Sequence, residues 1–307
     1  MNEARKKIGI AVLVIAVLWL VSFSLSNLLK FEGTSLSNKI AVIPLTGFLA
    51  GDKTESLLGE TGTSSKTIVN FIEQAEKDPD VKGIILEINS GGGTVMAGKE
   101  IAEAVKKTQK PTVALIREVG ASGAYWVASA ADKIVADEMS ITGSIGVTSS
   151  YLEFSGLMEK YGVSYEELKS GKYKEAGSPF RELTDEERRL LQEKIDKIQA
   201  YFLEEVKKNR NLDNKTIKEI SNAGIYLGTE AYDLKMVDYI GGKELAINIT
   251  KQMANLTEAK LIKYEEKKGL LDMLGRLSAE SYYNIGRGIG TEIVNRGKTE
   301  SILEIRS

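Results

Sequence analysis

Apolar residues fall along this chain in two ways: in short unbroken runs, and at intervals of three or four positions. Ile40-Ala-Val-Ile-Pro-Leu45, Gly83-Ile-Ile-Leu-Glu-Ile88, Thr112-Val-Ala-Leu-Ile116 and Lys133-Ile-Val-Ala136 are of the first kind and predict strands. Between the first two, Ile68, Val69, Phe71, Ile72 and Ala75 lie on helical spacing behind the cap candidates Ser64 and Ser65, which predicts a helix over 65–77. A second helix is expected over 96–107 and a third begins at Ser122, where Ala124 to Ala131 supply good helix formers. Strands alternating with helices at this spacing predict an α/β core, a parallel sheet with helical crossovers. Further on, Thr184-Asp-Glu-Glu187 is a capping-box pattern that opens a long amphipathic helix to about Lys208, with Leu190, Leu191, Ile195, Ile198, Phe202 and Val206 along it.

The longest apolar run is at the start. Arg5, Lys6 and Lys7 precede an uncharged stretch from Ile8 to Leu29. At ~1.5 Å per residue that stretch can cross a hydrocarbon layer of ~30 Å. It exceeds a usual signal-peptide core and no Ala-x-Ala site follows, which favours a retained transmembrane anchor over a cleaved leader. The basic cluster predicts a cytoplasmic tail at 1–7 and the bulk of the chain outside the cytoplasm, in a cell membrane. A polar linker follows at 30–38, then a globular domain at 39–260. Residues 261–307 are charged, with scattered apolar residues, and form an extension to which the sequence assigns no role.

Composition narrows the chemistry. With 307 residues, 42% apolar, the chain can bury a sizeable core. The net charge of −2 argues against nucleic acid as a partner. There is neither histidine nor cysteine. Disulfides, thiolate ligands, a Ser-His-Asp triad and a Cys-His pair are therefore excluded, and no metal or other cofactor is expected.

Four segments hold the candidate chemistry. Asn89-Ser-Gly-Gly-Gly-Thr94 follows a predicted strand. It is either a tight turn needing positive φ, or a loop whose bare backbone brings N–H groups to an oxyanion. Ser122, within Gly120-Ala-Ser-Gly-Ala-Tyr-Trp126, stands at a strand-to-helix turn, as a helix cap or as an exposed nucleophile. Thr142-Gly-Ser-Ile-Gly-Val147 reads by itself as a turn with a structural hydroxyl. Lys169-Ser-Gly-Lys-Tyr-Lys-Glu175 lies ahead of the capped helix, and nothing local singles out one of its lysines.

In order and together, these segments resemble the signal peptide peptidase A family of serine proteases, over roughly residues 39–260. The stretch from Gly224-Ile-Tyr-Leu-Gly-Thr-Glu-Ala231 to Gly242 adds to the likeness. One departure is Gly91, where that family commonly has proline. The resemblance implies a ClpP/crotonase-like fold and a Ser-Lys dyad. Carried over by motif, Ser122 is the nucleophile, Lys174 the general base with Lys172 as rival and Lys169 a distant one, and Ser144 orients the lysine. Gly93 and Gly123 supply the oxyanion N–H groups. It further implies a membrane-anchored endopeptidase acting on remnant signal peptides, assembled as a homo-oligomer. A lysine titrates near ~10.4 in water, so such a base needs burial, by substrate or by a second subunit, to favour its neutral form. The competing readings are a crotonase-like acyl-CoA enzyme and a non-catalytic membrane scaffold on the same fold.

Overall fold

The computed structural model describes residues 13–24, 38–52, 55–56, 59–60 and 62–265. The first of these stretches is a helix, α1 (13–24), with its large apolar side chains exposed and Trp19 stacked on Phe23 at 5.6 Å. The expected membrane span at 8–29 is described only over this part, about 18 Å of helix at ~1.5 Å per residue. Among the described residues no helix is long and apolar enough to cross a membrane. The remainder of the run lies outside the described residues, as do the tail 1–7, most of the linker 30–38 and nearly all of the extension 261–307.

The domain starts with β1 (Lys39–Thr46), β2 (Leu49–Ala50), β3 (Glu55–Ser56), β4 (Gly59–Glu60) and β5 (Thr63–Ser64). There follow α2 (Ser65–Lys77), β6 (Val81–Ser90), α3 (Val95–Lys107), β7 (Thr112–Ala121), α4 (Gly123–Ser129), β8 (Lys133–Ala136) and β9 (Ile141–Gly143). The last part holds α5 (Ser155–Lys160), α6 (Asp185–Arg210), α7 (Asn214–Ile220), β10 (Ile225–Leu227), α8 (Gly228–Asp233), β11 (Tyr239–Ile240), α9 (Lys243–Met253) and β12 (Lys260–Lys263).

The main sheet runs β10-β9-β7-β6-β1-β12, with β8 paired to β7 and carrying β11. One edge of β7 forks: Val113–Ile116 pair with β8, and Val119–Ala121 pair with β9. Every ladder of this sheet is parallel save β9–β10, which is antiparallel. The sheet is therefore mixed rather than wholly parallel. The antiparallel member is β10, a short edge strand that returns beside β9 after α5, α6 and α7.

Alternate residues of the central strands feed two cores, as their two-residue period requires. Ile40, Val42, Ile85, Val113, Leu115 and Val135 pack under Ala246 and Ile249 of α9. Ala41, Ile43, Ile84, Leu86 and Ala114 face the other way, into the larger cluster shared with α2, α3, α4 and α6. All seven residues of α4 are buried. Its Trp126 stacks on Phe202 of α6 at 4.4 Å, and its Tyr125 hydroxyl donates to the Met236 carbonyl at 3.0 Å. The capping box at Thr184 and Glu187 forms as its spacing predicts, and α6 continues to Arg210. There Arg210 pairs with Asp238 at 2.6 Å, and the same carboxylate oxygen accepts the Ile134 N–H at 2.7 Å. Only the C-terminal half of α6 is well covered. The segment between β9 and α6 exposes Tyr151, Leu152, Leu157, Tyr161 and Leu168.

Candidate active site

Ser122 joins β7 to α4 with φ 52° and ψ −127°. Positive φ is uncommon for a residue with a Cβ, and it survives only where neighbours enforce it. Here the Ser122 N–H donates to the Gly143 carbonyl at 2.8 Å, and its own carbonyl accepts the Trp126 N–H at 3.0 Å. The hydroxyl makes no capping bond to α4. Of the two roles open to Ser122 from the sequence, capping is therefore not the one the side chain performs. Close approach explains the small residues around it. A Cβ on Gly120 would stand 2.9 Å from the Ile116 side chain, and one on Gly92, at φ 104°, would stand 2.8 Å from the Ser122 Cβ.

The Gly-rich loop is pinned from outside the sequence motif. Leu49 donates to the Gly92 carbonyl at 2.9 Å and accepts the Thr94 N–H at 2.8 Å. In this parallel bridge the flanking residues use both polar groups of Leu49, so the Gly93 N–H points away from it. A Cβ on Gly93 would fall 1.9 Å from the Leu49 carbonyl oxygen, which leaves glycine as the residue that fits. Beneath the loop, buried Ser90 donates to the Gly47 carbonyl at 2.5 Å and accepts the Gly92 N–H at 3.1 Å. Gly123 opens α4, so its N–H is one of the helix donors without an intrahelical acceptor. The ideal Cβ position of Gly123 lies 3.5 Å from the Gly93 nitrogen. The Gly-rich loop and the start of α4 thus approach closely at Gly93 and Gly123.

Ser144 also stands at positive φ, 51°, directly after Gly143 at 87°. Its N–H donates to the Gly224 carbonyl at 2.7 Å, and its carbonyl accepts the Gly146 N–H at 2.9 Å. Buried Thr142 donates through its hydroxyl to the Gly120 carbonyl at 2.7 Å. The segment 142–144 therefore braces the Ser122 turn along its length, and Gly93, Ser122, Gly123 and Ser144 come together at one end of β7.

The lysines are placed differently. Lys174 lies in an exposed turn, its N–H donating to the Gly171 carbonyl at 3.3 Å. Its ammonium has no hydrogen-bond or ion-pair partner among the described residues, and the structure does not join it to Ser122 or Ser144. Lys172 pairs with Glu186 at 2.6 Å, and that hydrogen bond raises its pKa, holding the proton on it. Lys169 pairs with Glu167. Lys174 is thus the one lysine of this loop with no carboxylate holding its charge. Arg181, which carries no local signal in the sequence, fastens the lysine loop to α6. It donates to both oxygens of Glu187, at 2.7 and 2.9 Å, and to the Glu175 carbonyl at 2.9 Å. The Arg181 guanidinium and the Thr184 N–H depress the Glu187 pKa to about 2. No group of acidic residues among those described could hold a metal ion.

Comparison with known proteins gives the family. The family model described as Peptidase family S49 matches residues 104–257, and the Clp protease model matches residues 58–139. The protein MJ0651 of Methanocaldococcus jannaschii is 33% identical, over 98% of this chain and 100% of its own length. A protein of Enterococcus faecium named for signal peptide peptidase SppA is 35% identical, over 76% of this chain and 69% of its own. Protease 4 of Haemophilus influenzae is 31% identical over 74% of this chain, which spans only 36% of that longer protein. With an α/β fold, a Clp-protease likeness and these matches, the chain belongs to the serine peptidases of family S49.

Proposed function

We propose that the protein is an endopeptidase in which Ser122 is the nucleophile and Lys174 the general base. The observation that carries this reading is Ser122 itself, held at φ 52° with its hydroxyl making no capping bond and the Gly92–Gly93 loop packed against its turn. In the proposed cycle neutral Lys174 takes the Ser122 proton as Oγ attacks the peptide carbonyl. The oxyanion is held by the Gly93 and Gly123 N–H groups. The lysine returns the proton to the leaving amine, and water, activated by the same amine, then hydrolyses the acyl-enzyme. Ser144 orients the amine once it arrives. Because Lys174 is exposed in the single chain, substrate or a second copy of the chain must cover it, and burial disfavours the ammonium. The exposed apolar residues around it, among them Leu168 and Tyr173, suit such covering.

The substrate class we assign is the apolar remnant of cleaved signal peptides, and the apolar run at 8–29 would tether the enzyme at the membrane that holds them, with the protease domain outside the cytoplasm. Supporting this are the exposed apolar side chains of α1 and the basic residues Arg5, Lys6 and Lys7. The match to a peptidase family leaves the acyl-CoA reading the weaker one.

The decisive measurement is turnover of a signal peptide and of an unfolded protein by wild type, Ser122→Ala, Lys174→Ala and Lys172→Ala. The first two variants should lose at least ~10³-fold in kcat. Lys172→Ala should keep most activity, since Lys172 is spent on Glu186. The rate should fall as pH drops, because a protonated lysine accepts nothing. Activity in Ser122→Ala would overturn the mechanism, and loss in Lys172→Ala with retention in Lys174→Ala would reassign the base.

A further inference from the structure

The turn at Ser122 is built on a bulge in β7. Ile116 pairs with Ile88 of β6, yet the next pair is Gly120 with Ser90. Arg117, Glu118 and Val119 on one strand therefore oppose Asn89 alone on the other. Such an insertion bends the strand and leaves ladder groups without their regular partners. Asn89 repairs the ladder with its side chain: its Oδ1 accepts the Val119 N–H at 3.2 Å, while its backbone carbonyl accepts the Gly47 N–H at 3.2 Å. From the opposite side buried Ser140 donates to the Ile116 carbonyl at 3.2 Å and also to the Arg117 carbonyl. The bulge is thus gripped at both ends, and three residues later the chain reaches Ser122.

We infer that Asn89 is a positioning residue, whose carboxamide sets the height of the β7 bulge and through it the position of the Ser122 hydroxyl relative to the Gly93 N–H. The two sides of the site come from different strands. Gly93 follows β6, and Ser122 follows β7. Asn89 belongs to the first strand and bonds the second, so it fixes one side against the other at the point where the backbone ladder lapses. Without that acceptor the Val119 N–H is left unpaired in a half-buried position, and the bulge relaxes to recover a partner. A displacement of about 1 Å at a reacting atom lowers a rate by about 100-fold. The inference rests on the assignment of Ser122 as nucleophile.

The test compares Asn89→Ala, Asn89→Asp and Asn89→Gln with wild type and Ser122→Ala, in the full-length chain. The readouts are kcat and KM on an unfolded protein, the rate of Ser122 labelling by a fluorophosphonate, and Tm. Asn89→Asp keeps an acceptor at the same place, whereas Asn89→Gln keeps the amide but moves it by one methylene. The expected result is a 10- to 100-fold loss of kcat and of labelling rate in Asn89→Ala and Asn89→Gln. KM should stay within about threefold, and Asn89→Asp should recover most of the loss. Should Asn89→Ala fail to fold, Asn89→Gln and Asn89→Asp carry the comparison. If Ser122→Ala is inactive and unlabelled while folded Asn89→Gln works like wild type, the positioning role falls alone. Equal losses in Asn89→Gln and Asn89→Asp would overturn it too, since the acceptor would then not be what matters. Activity in Ser122→Ala overturns both readings together.

Discussion

Gly91 and Gly92 are neighbours with opposite requirements. A Cβ on Gly91 meets nothing within 4 Å, whereas one on Gly92 meets the Ser122 Cβ, the Gly123 nitrogen and the Ala121 carbonyl at 2.8 to 3.0 Å. Gly91→Ala should therefore raise stability by about 0.4–1 kcal/mol through the unfolded chain, with activity kept. Gly92→Ala should cost ~1–3 kcal/mol from backbone strain alone and should also remove activity, as thermal melts and peptide turnover would show. The same contrast separates what was legible in the sequence from what was not. Ser122 could be found because its flanking small residues are the trace of close backbone approach. Leu49 could not, since a leucine whose amide and carbonyl pin a loop looks like any core leucine. The pairing of the lysines was equally hidden: Glu167 holds Lys169 and Glu186 holds Lys172, and only the folded loop shows that Lys174, the base implied by the motif resemblance, has no such partner among the described residues.

Among the elements, those with long apolar runs were readable to within a few residues. The helix expected over 65–77 is α2, the strand at 133–136 is β8, and α3 begins at Val95, one residue ahead of its expected start. The strand expected over 112–116 continues to Ala121, and the bulge is the reason: after Ile116 two exposed charged residues break the apolar run while the chain stays extended. The strands β9 to β12 are too short to show a period and are held by pairing to neighbours distant in sequence. The start of α6 carries its own prediction. Glu187 is depressed to about 2, so the folded chain binds fewer protons there than the unfolded one. Its contribution is complete above the ordinary glutamate range and drains away as pH falls from about 4.5 toward 2. Amide exchange in the first turns of α6 should accelerate over that interval. In Glu187→Gln it should be faster at neutral pH and largely insensitive to acid.

At the scale of the molecule, one ion pair ties the end of α6 to the sheet. The Arg210 side chain is 7% exposed and that of Asp238 is 20% exposed, and the Asp238 carboxylate also accepts the Ile134 N–H of β8. Removing one partner strands the other, so Asp238→Ala should cost about 3–5 kcal/mol in denaturant unfolding. The mixed character of the sheet belongs to this scale too, since β10 meets β9 only after α6 and α7 have carried the chain back. The contacts that fix the serine turn come from the same distant part of the chain. Tyr125 reaches Met236 across 111 positions, Trp126 rests on Phe202, and Ser144 takes its backbone partner from Gly224. A ribosome adds about 5–20 residues each second. Seconds therefore separate the emergence of Ser122 from that of the residues that hold it in place. While the protein is being made the Ser122 turn is therefore unbraced, and it reaches its final form only after translation has passed Met236.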